Sequence, residues 1–445
     1  MLDLLEQRFR ANAAACALIA GDARFTYADL LSAISHWQAR FARSGIVAGS
    51  VVLLKGDFTL DAIGALFALM RIGAITILLA PSSFEKEAEF ADTGRAQFVV
   101  DTLSGGIQTF SGDGVHPLYD QLRAGGDAGI ILFSSGSAGA SKGTVHNASH
   151  LLEKFRPKGK NLRTLAFLLF DHIAGLDTLL YSLANTSTLV LAQVRTPDEV
   201  CRLIALHRVQ VLPTAPSFLN LLLLAGAAER HDLSSLEIVT YGSEMMAQST
   251  LDRCAAALPN VRLIQKYGTS ETGAFPTQSR SSTSTWLKLG GEGFEWRVRD
   301  GKFEARTRST MLGYLNEPSP FTEDGFFMTG DRVEVDGEYV RFLGRDSDMI
   351  NVGGQKVFPA EVEALISQMP EVAEVAVYGE PHAILGAAVV AKIWPAGEIS
   401  AADLRKSVRA HLTGQVEPYK IPQKLILVDQ PLTSSRFKTI RRSGS

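Results

Sequence analysis

Amphipathic helical patterns and short β-rich runs alternate from Thr26 to about residue 270. The first four, "ADLLSAISHWQARFARSG", "VVLLKG", "DAIGALFALMRIG" and "ITILLAP", are typical of a helix, a strand, a helix and a strand. Further along, "DEVCRLIALHRVQVLPTAPSFLNLLLLAG" repeats helix, strand and helix, and "LEIVTYGSE" is a strand pattern that ends on a glycine. This alternation predicts layered α/β sheets with largely parallel strands. Ligands bind such sheets at loops that follow the strands.

The last third of the chain has a different pattern. Past about residue 290, strands are short and alternating, as in "RVEVDGEYVRFLG", where Asp336 and Gly337 suit a hairpin turn. After Gly344 come strands, a helix and a final strand, "KLILVD". We therefore predict an α/β protein with a large N-terminal domain of layered sheets plus a β subdomain, residues 1–344. A small, mobile α+β domain, residues 345–445, should follow.

Length and composition exclude several classes of protein. A chain of 445 residues is too long for one ordinary core. Its net charge of -3 predicts no nucleic acid partner. Arg71 and two glycines interrupt the most apolar stretch, so no membrane span is predicted. Cys16, Cys201 and Cys254 lack metal-ligand spacing and the N-terminus is charged, which together favour a reduced, cytoplasmic chain.

A loop rich in glycine and serine, "SSGSAGASKGTV", follows the apolar run "GIILF". Backbone N–H groups, hydroxyls and one lysine after a strand can hold a polyphosphate. The loop lacks the ending and the spacing of a P-loop, however. On its own evidence it is equally a phosphate cradle or a flexible link.

Three other stretches could carry chemistry. In "YGTSETG", Glu271 could hold Mg²⁺ against phosphate oxygens, or the heptapeptide could be a solvated turn. In "MTGDR", Asp331 could bind a ribose diol, with Arg345 nearby, or these residues could be a capping Asp and a surface Arg. Lys438, near the C-terminus, is by itself typical of a solvated lysine.

The order of the motifs resembles that of the adenylate-forming superfamily of acyl- and aryl-CoA synthetases, luciferases and peptide-synthetase adenylation domains, with acyl-CoA ligases most similar. The resemblance covers nearly the whole chain and includes "SSGSAGASKG", "YGSE", "YGTSETG", "MTGDR" and "GRDSDMINVGGQKVFPAEVE". The resemblance implies contacts to the pyrophosphate of ATP from Ser134, Ser135, Gly136, Ser137, Gly139 and Lys142, and contacts to adenine from Gly242, Ser243 and Glu244, with Tyr267 and Gly268 beside them. It implies that Thr269 and Ser270 lie near the α-phosphate and that Glu271 binds Mg²⁺. It also implies that Asp331 and Arg345 bind the ribose and that Lys438 is the catalytic lysine.

The activity that the resemblance implies is attack of a carboxylic acid on ATP to give an acyl-AMP and pyrophosphate, followed by transfer to a thiol. CoA is the expected thiol, and the phosphopantetheine of a carrier protein is the alternative. Departures from the family pattern at Ala138, Ser141, Ser347, Asn351 and Phe437 keep open a degenerate nucleotide-binding homologue without turnover.

The segment "FDHIAGLDTLLYSLANTSTLVL" aligns with the family's acid pocket. A match without gaps through Asn185 places His172 on the pocket histidine, which favours an acid without an α-amino group. Asp171 could instead mimic the amine-binding aspartate of peptide synthetases, and Tyr241 is a further predicted pocket residue. The residues alone also permit a core histidine at 172 and a helix N-cap at 171.

Overall fold

Helices and strands alternate along most of the protein in the computed structural model, which describes residues 1–135 and 141–432. The α-helices within those two ranges are α1 (Leu2–Ala11), α2 (Tyr27–Arg43), α3 (Leu60–Ile72), α4 (Glu87–Thr93), α5 (Pro117–Gly125), α6 (Ala148–Glu153), α7 (Ile173–Ala184), α8 (Pro197–His207), α9 (Pro216–Leu224), α10 (Ala227–Arg230), α11 (Gln248–Ala257), α12 (Pro359–Ile366) and α13 (Ala401–Leu412). Short 3₁₀ turns lie at Pro81–Lys86, Asp346–Asp348 and Pro418–Lys420.

Local signals in the sequence set the ends of these helices. The Thr26 side chain accepts a hydrogen bond from the N–H of Asp29, and the Asp29 carboxylate accepts one from the N–H of Thr26. This reciprocal pair satisfies two N–H groups at the start of α2. Helix α3 ends at Gly73, whose φ of 81° is a left-handed conformation that glycine adopts without strain.

The strands fall into two groups along the chain. Before residue 275 they are β1 (Cys16–Ala20), β2 (Ala23–Thr26), β3 (Val51–Lys55), β4 (Ile75–Leu79), β5 (Phe98–Asp101), β6 (Gly106–Thr109), β7 (Gly129–Ser135), β8 (Ser141–Asn147), β9 (Thr164–Ala166), β10 (Leu189–Leu191), β11 (Val211–Thr214), β12 (Ile238–Tyr241), β13 (Arg262–Gln265), β14 (Gly268–Thr269) and β15 (Gly273–Ala274). After it they are β16 (Thr277–Ser279), β17 (Leu287–Leu289), β18 (Phe294–Arg299), β19 (Lys302–Thr307), β20 (Gly313–Tyr314), β21 (Phe327–Asp336), β22 (Tyr339–Arg345), β23 (Ile350–Val352), β24 (Gln355–Val357), β25 (Val372–His382), β26 (Gly386–Pro395) and β27 (Lys424–Leu427).

Two seven-stranded sheets dominate the first part of the chain. The first sheet has the order β13-β12-β11-β9-β10-β1-β2, and its strands pair in parallel except for β1 with β2. The second sheet has the order β20-β8-β7-β4-β3-β5-β6, with parallel pairs at its centre and antiparallel pairs towards both edges. The prediction of largely parallel strands is thus confirmed for the first sheet, whereas the second is mixed.

Buried side chains divide the two sheets and their helices into layers. One apolar cluster joins residues of α2, α3 and α7 to the facing sides of both sheets, including Leu54 and Leu189. A second cluster covers the other side of the first sheet with α8, α9 and α11. A third covers the outer side of the second sheet with α4 and α5. Each sheet is therefore covered by helices on both sides, as a parallel sheet with apolar strands requires.

The later strands form two smaller sheets. The third sheet, β16-β17-β22-β21-β19-β18, contains the predicted hairpin, in which Asp336 lies opposite Tyr339. In the fourth sheet β23, β24, β25, β26 and β27 pack with α12 and α13 around an apolar core of their own. The predicted fold class is confirmed, and the division at residues 344 and 345 stays a prediction. Among the described residues, every helix is too short or too polar to cross a lipid bilayer.

Candidate active site

A cleft of about 1080 Å³ opens between the loops that follow β12 and β13 and the start of the C-terminal α+β unit. Ser243, Tyr267 and Asp331 line it from one side, and Phe358 and Glu374 line it from the other. The cleft lies where the carboxyl ends of two parallel strands, β12 and β13, reach the edge of the first sheet. Its volume is at the upper end of the usual range for sites that bind small molecules.

The two residues predicted to bind ribose, Asp331 and Arg345, meet Tyr267, another predicted nucleotide contact, at one end of this cleft. The Tyr267 hydroxyl donates a 2.8 Å hydrogen bond to Asp331 Oδ2, and Arg345 Nε lies 3.4 Å from Asp331 Oδ1. Asp331 and Arg345 are opposite each other in the β21–β22 pair, and the Tyr267 ring stacks on Phe342 at 4.0 Å. Asp331 is only 8% exposed. Burial raises the pKa of its carboxyl, which the Arg345 charge and the Tyr267 hydrogen bond oppose.

The "YGTSETG" segment forms a small hairpin from β14 and β15. The Thr269 hydroxyl accepts hydrogen bonds from the N–H groups of Glu271 and Thr272, both at 3.2 Å. The Tyr314 hydroxyl donates a 2.7 Å hydrogen bond to Glu271 Oε1. Glu271 is therefore a half-buried carboxylate held in place from both its backbone and its side chain.

His146 on β8 joins this hairpin to the second sheet. Its Nε2 lies 2.7 Å from the carbonyl oxygen of Ser270. Burial lowers the pKa of His146 to about 4, so the imidazole is neutral near pH 7 and its N–H donates to that oxygen. The sequence analysis missed His146, because its partner is a backbone carbonyl more than a hundred residues away and leaves no sequence pattern.

The glycine- and serine-rich loop joins two antiparallel strands, β7 and β8. Ser134 pairs with Lys142, and Ser135 with Ser141, at its base. Lys142 Nζ lies 3.4 Å from Glu317 Oε1 and 5.7 Å from the centre of the Tyr314 ring. Tyr314 thus contacts both the lysine predicted to bind pyrophosphate and the carboxylate predicted to bind Mg²⁺.

Some residues named from the sequence lie outside the described ranges: Gly136, Ser137, Ala138, Gly139, Phe437 and Lys438.

Ser141, which stands where the family usually has proline, is held by contacts from three sides. Its N–H donates a 2.9 Å hydrogen bond to Glu89 Oε1, and its hydroxyl accepts one of 3.2 Å from Lys86 Nζ. Its carbonyl accepts a 2.8 Å hydrogen bond from Asn316. A proline has no N–H and could not bind Glu89. The sequence analysis did not identify Lys86, Glu89, Asn316 or Tyr314, because each is distant in sequence from the motif that it supports.

The loop predicted to lie beside adenine approaches its neighbour closely. A Cβ atom at Gly242 would lie 2.7 Å from the carbonyl oxygen of Lys266, so only glycine fits there. Ser243 follows with a φ of 70° and lines the cleft. The Glu244 carboxylate accepts hydrogen bonds from the N–H of Ser217, at 3.1 Å, and from its hydroxyl.

The residues predicted for the acid pocket have structural contacts of their own. His172 is the N-cap of α7, and its Nδ1 accepts a 3.3 Å hydrogen bond from the N–H of Ala174. The N-cap alternative at Asp171 is therefore wrong, because His172 caps the helix. Asp171 is buried, and Ser83 donates a 3.1 Å hydrogen bond to its Oδ2. The Tyr241 side chain, 1% exposed, packs in the apolar core beneath the first sheet, a placement that does not support the predicted pocket role.

Comparisons with known proteins identify the family. Residues 5–292 match the family model described as AMP-binding enzyme, and residues 361–436 match the model described as AMP-binding enzyme C-terminal domain. The chain is 26% identical to a 2-succinylbenzoate–CoA ligase of Listeria monocytogenes, covering 98% of this chain and 97% of that one. It is 27% identical to a 4-chlorobenzoate–CoA ligase of an Arthrobacter species, with 94% and 89% covered.

Solved structures show the same fold. A crystal structure of an anthranilate CoA ligase in complex with anthranoyl-AMP superimposes with a TM-score of 0.85. The two sequences are 22% identical, and the superposition covers 99% of this chain and 95% of that one.

Proposed function

Because this chain belongs to the family of AMP-binding enzymes, we propose that it activates a carboxylic acid with ATP and transfers the acyl group to a thiol. One observation carries this proposal. Three distant segments of the chain bring Asp331, Tyr267 with Glu271, and Lys142 together around one cleft and its neighbouring hairpin. Similarity over nearly the full length of two CoA ligases supports the same activity.

ATP fits this arrangement as a co-substrate. Asp331 can accept hydrogen bonds from both ribose hydroxyls, because a carboxylate has several acceptor positions. Burial raises the pKa of the Asp331 carboxyl, and the charge of Arg345, 3.4 Å away, opposes that rise. Ser243 and Glu244, which are predicted to lie beside adenine, both line the cleft.

Mg²⁺ also fits the residues present. No cluster of three or more possible metal ligands occurs in the part of the chain that the structure describes. Mg²⁺ usually binds through one or two carboxylates together with substrate phosphates, and Glu271 supplies such a carboxylate. When bound, the ion would neutralise phosphate charge, and Tyr314 and the Ser270–His146 contact would hold Glu271 in position for it.

The proposed chemistry proceeds in two steps. The acid carboxylate attacks the α-phosphorus of ATP, the bond to the bridging oxygen breaks, and pyrophosphate leaves as an acyl-AMP forms. Positive groups around the phosphates stabilise the developing charge, a role that we assign to Lys142 and Lys438. A thiol then attacks the acyl carbonyl and AMP leaves.

CoA is the thiol that we propose, and reorientation of residues 345–445 about a hinge at residues 345–348 would admit it. At this junction the Asp346 carboxylate forms ion pairs with Arg332 and Lys302, at 2.7 and 2.8 Å.

We also propose a cytoplasmic location, because the three cysteines form no disulfide and two of them are buried.

Acid-dependent exchange of pyrophosphate into ATP tests the first step. We expect exchange with at least one acid in a panel of short, medium, aromatic and dicarboxylic acids, and no exchange without Mg²⁺. If every acid were inactive while the protein still bound ATP, the chain would be a nucleotide-binding homologue without turnover.

The catalytic lysine has a matched control. Lys438→Ala should lower the exchange rate by about 100- to 1,000-fold, since it removes a charge that acts in the transition state, while ATP binding changes little. Lys424→Ala should leave the rate unchanged, because Lys424 lies on β27 in an exposed ion pair with Glu380 of β25. Equal exchange rates in Lys438→Ala and in the unaltered protein would rule out the role given to Lys438.

Adding acceptors to preformed adenylate distinguishes the two thiols. Release of AMP on addition of CoA supports the ligase. Release only with a carrier protein that bears phosphopantetheine supports the alternative.

A further inference from the structure

A hydrogen bond joins the large domain to the C-terminal α+β unit, in addition to the contacts at the hinge. The Asn220 side chain on α9 donates from Nδ2 to the carbonyl oxygen of Ala373 at 3.0 Å. Both residues line the cleft, Asn220 from the large domain and Ala373 from the C-terminal unit. The contact therefore ties the two walls of the cleft to each other.

The Ala373 carbonyl is available because the strand that carries it is irregular at this point. Strand β25 lies at the edge of the fourth sheet. Val372 lies opposite Pro395 of β26 and Glu374 lies opposite Trp394, so Ala373 is the extra residue of a β-bulge. A bulge leaves its extra residue outside the regular ladder of hydrogen bonds. The carbonyl of Ala373 can thus accept a hydrogen bond from another domain.

A second contact orients the Asn220 amide from its own side of the cleft. Asn220 Oδ1 accepts a 2.6 Å hydrogen bond from Arg253 Nη2 on α11. Because a guanidinium only donates, this bond assigns the oxygen of the amide to Arg253 and leaves the nitrogen to donate to Ala373. The amide is therefore oriented before the C-terminal unit docks, which lowers the side-chain entropy lost on docking.

Helix α9 also holds the loop that is predicted to lie beside adenine. Ser217 donates hydrogen bonds to the Glu244 carboxylate from its N–H and its hydroxyl. Ser217 and Asn220 are three residues apart, so they lie on the same side of the helix. One turn of α9 thus contacts both the adenine loop and the C-terminal unit, and it sets the position of that unit relative to the nucleotide end.

The arrangement that this contact stabilises suits the first step of the reaction. The N–H of Leu432 donates a 2.6 Å hydrogen bond to Glu374 Oε2, and Glu374 lines the cleft. Lys438 is six residues further along the chain, and six residues of extended chain span about 20 Å. That length allows Lys438 to reach the cleft. The second step instead requires the C-terminal unit to turn about the hinge, which breaks the bond to Ala373.

We propose that Asn220 is a positioning residue that holds the C-terminal unit in the arrangement for adenylation and releases it before thiol transfer. The inference rests on the proposed two-step reaction. The bond exists in only one of the two arrangements, so it shifts the balance between them by its own free energy. The ratio of the rates of the two steps measures that balance, whereas damage to the fold lowers both rates.

The test compares two rates in the same protein: acid-dependent exchange of pyrophosphate into ATP, and release of AMP when CoA is added to preformed adenylate. Asn220→Asp keeps an acceptor for Arg253 but has no N–H to donate to Ala373. The ratio of AMP release to exchange should rise about 3- to 10-fold, as expected for the loss of one hydrogen bond, with KM for ATP unchanged.

Arg253→Leu provides a second variant, which keeps the test decisive if Asn220→Asp does not fold. It leaves the Asn220 donor in place and removes only the bond that orients it. The ratio should therefore rise in the same direction by a smaller factor.

Asn161→Asp is the matched control. Asn161 Nδ2 also donates to a backbone carbonyl, that of Thr186 at 2.9 Å, but both residues belong to the large domain, so the ratio should stay unchanged. An unchanged ratio in Asn220→Asp, or an equal fall in both rates, would overturn the inference and leave the proposed function intact. If the unaltered protein showed no exchange with any acid, or no release of AMP with CoA, the proposed ligase and this inference would fail together.

Discussion

The nucleotide end and the acid end of the predicted site differ in what their residues contact. At the nucleotide end, Tyr267 and Arg345 both contact Asp331, and Glu271 and Lys142 both contact Tyr314. At the acid end, the predicted residues have structural contacts: His172 caps a helix, Asp171 accepts a hydrogen bond from Ser83, and Tyr241 packs in a core.

This difference shows what a motif can indicate. A nucleotide loop works mostly through backbone position and a few charged side chains, which recur at constant spacing in sequence. An acid pocket is formed by side chains of separate helices and strands, so its shape and charge depend on packing.

The largest expected effect lies at the nucleotide end. Glu271→Gln keeps an oxygen that can accept the Tyr314 hydrogen bond but removes the charge that we assign to Mg²⁺. The exchange rate should fall by about 100- to 1,000-fold, and the Mg²⁺ concentration for half-maximal rate should rise. Tyr314→Phe, which removes only the support, should cost about tenfold or less. An unchanged Mg²⁺ dependence in Glu271→Gln would show that this carboxylate does not hold the metal.

A smaller effect is expected at the ribose. Asp331→Ala should raise KM for ATP by about 10- to 100-fold, because it removes acceptors for two hydroxyls and leaves Tyr267 and Arg345 without their partner. Asp336→Ala, at the far end of the same strand in an exposed pair with Arg280, is the control and should have no effect. Comparable KM values in the two variants would separate Asp331 from nucleotide binding.

The His146 contact predicts a pH dependence of stability. Burial lowers the pKa of His146 from 6.5 to about 4, so below pH 6.5 the unfolded chain takes up a proton that the folded protein does not. This contribution to stability is complete above pH 6.5 and is lost as the pH falls towards 4. The free energy of unfolding should drop by about 2 kcal/mol from this site between pH 7.5 and 5.

Denaturant unfolding of the unaltered protein and of His146→Leu measures that contribution as a difference. The variant should lose stability at pH 7.5 yet show a shallower decline towards pH 5. Parallel pH profiles would mean that His146 titrates in the folded protein as it does in the unfolded chain.

The smallest effect distinguishes the two roles at the acid end. His172→Ala should lower the free energy of unfolding by about 1 kcal/mol, because α7 loses its N-cap, whereas His172→Asn should retain it. If His172 acts only as a cap, His172→Asn also keeps the exchange activity. Loss of activity in this stable variant would instead show that the imidazole contacts the acid.

Much of the fold could be predicted because its determinants are local. The alternation of apolar patterns indicated the layers, and Asp336 with Gly337 indicated the β21–β22 hairpin, since a turn depends on adjacent residues. The mixed second sheet was not predicted. Its antiparallel pairs, such as β8 with β20, join strands more than 160 residues apart, and such pairing leaves no local signal.

The sequence by itself determined the family and predicted the residues that bind the nucleotide, because the nucleotide motifs are short, ordered and tied to backbone loops. Only the tertiary structure decided what supports those loops: Tyr314 on Glu271, His146 on Ser270, and Glu89 on the N–H of Ser141. It also decided that His172 caps α7. Each depends on burial and on a partner from a distant segment, and packing alone brings such partners together.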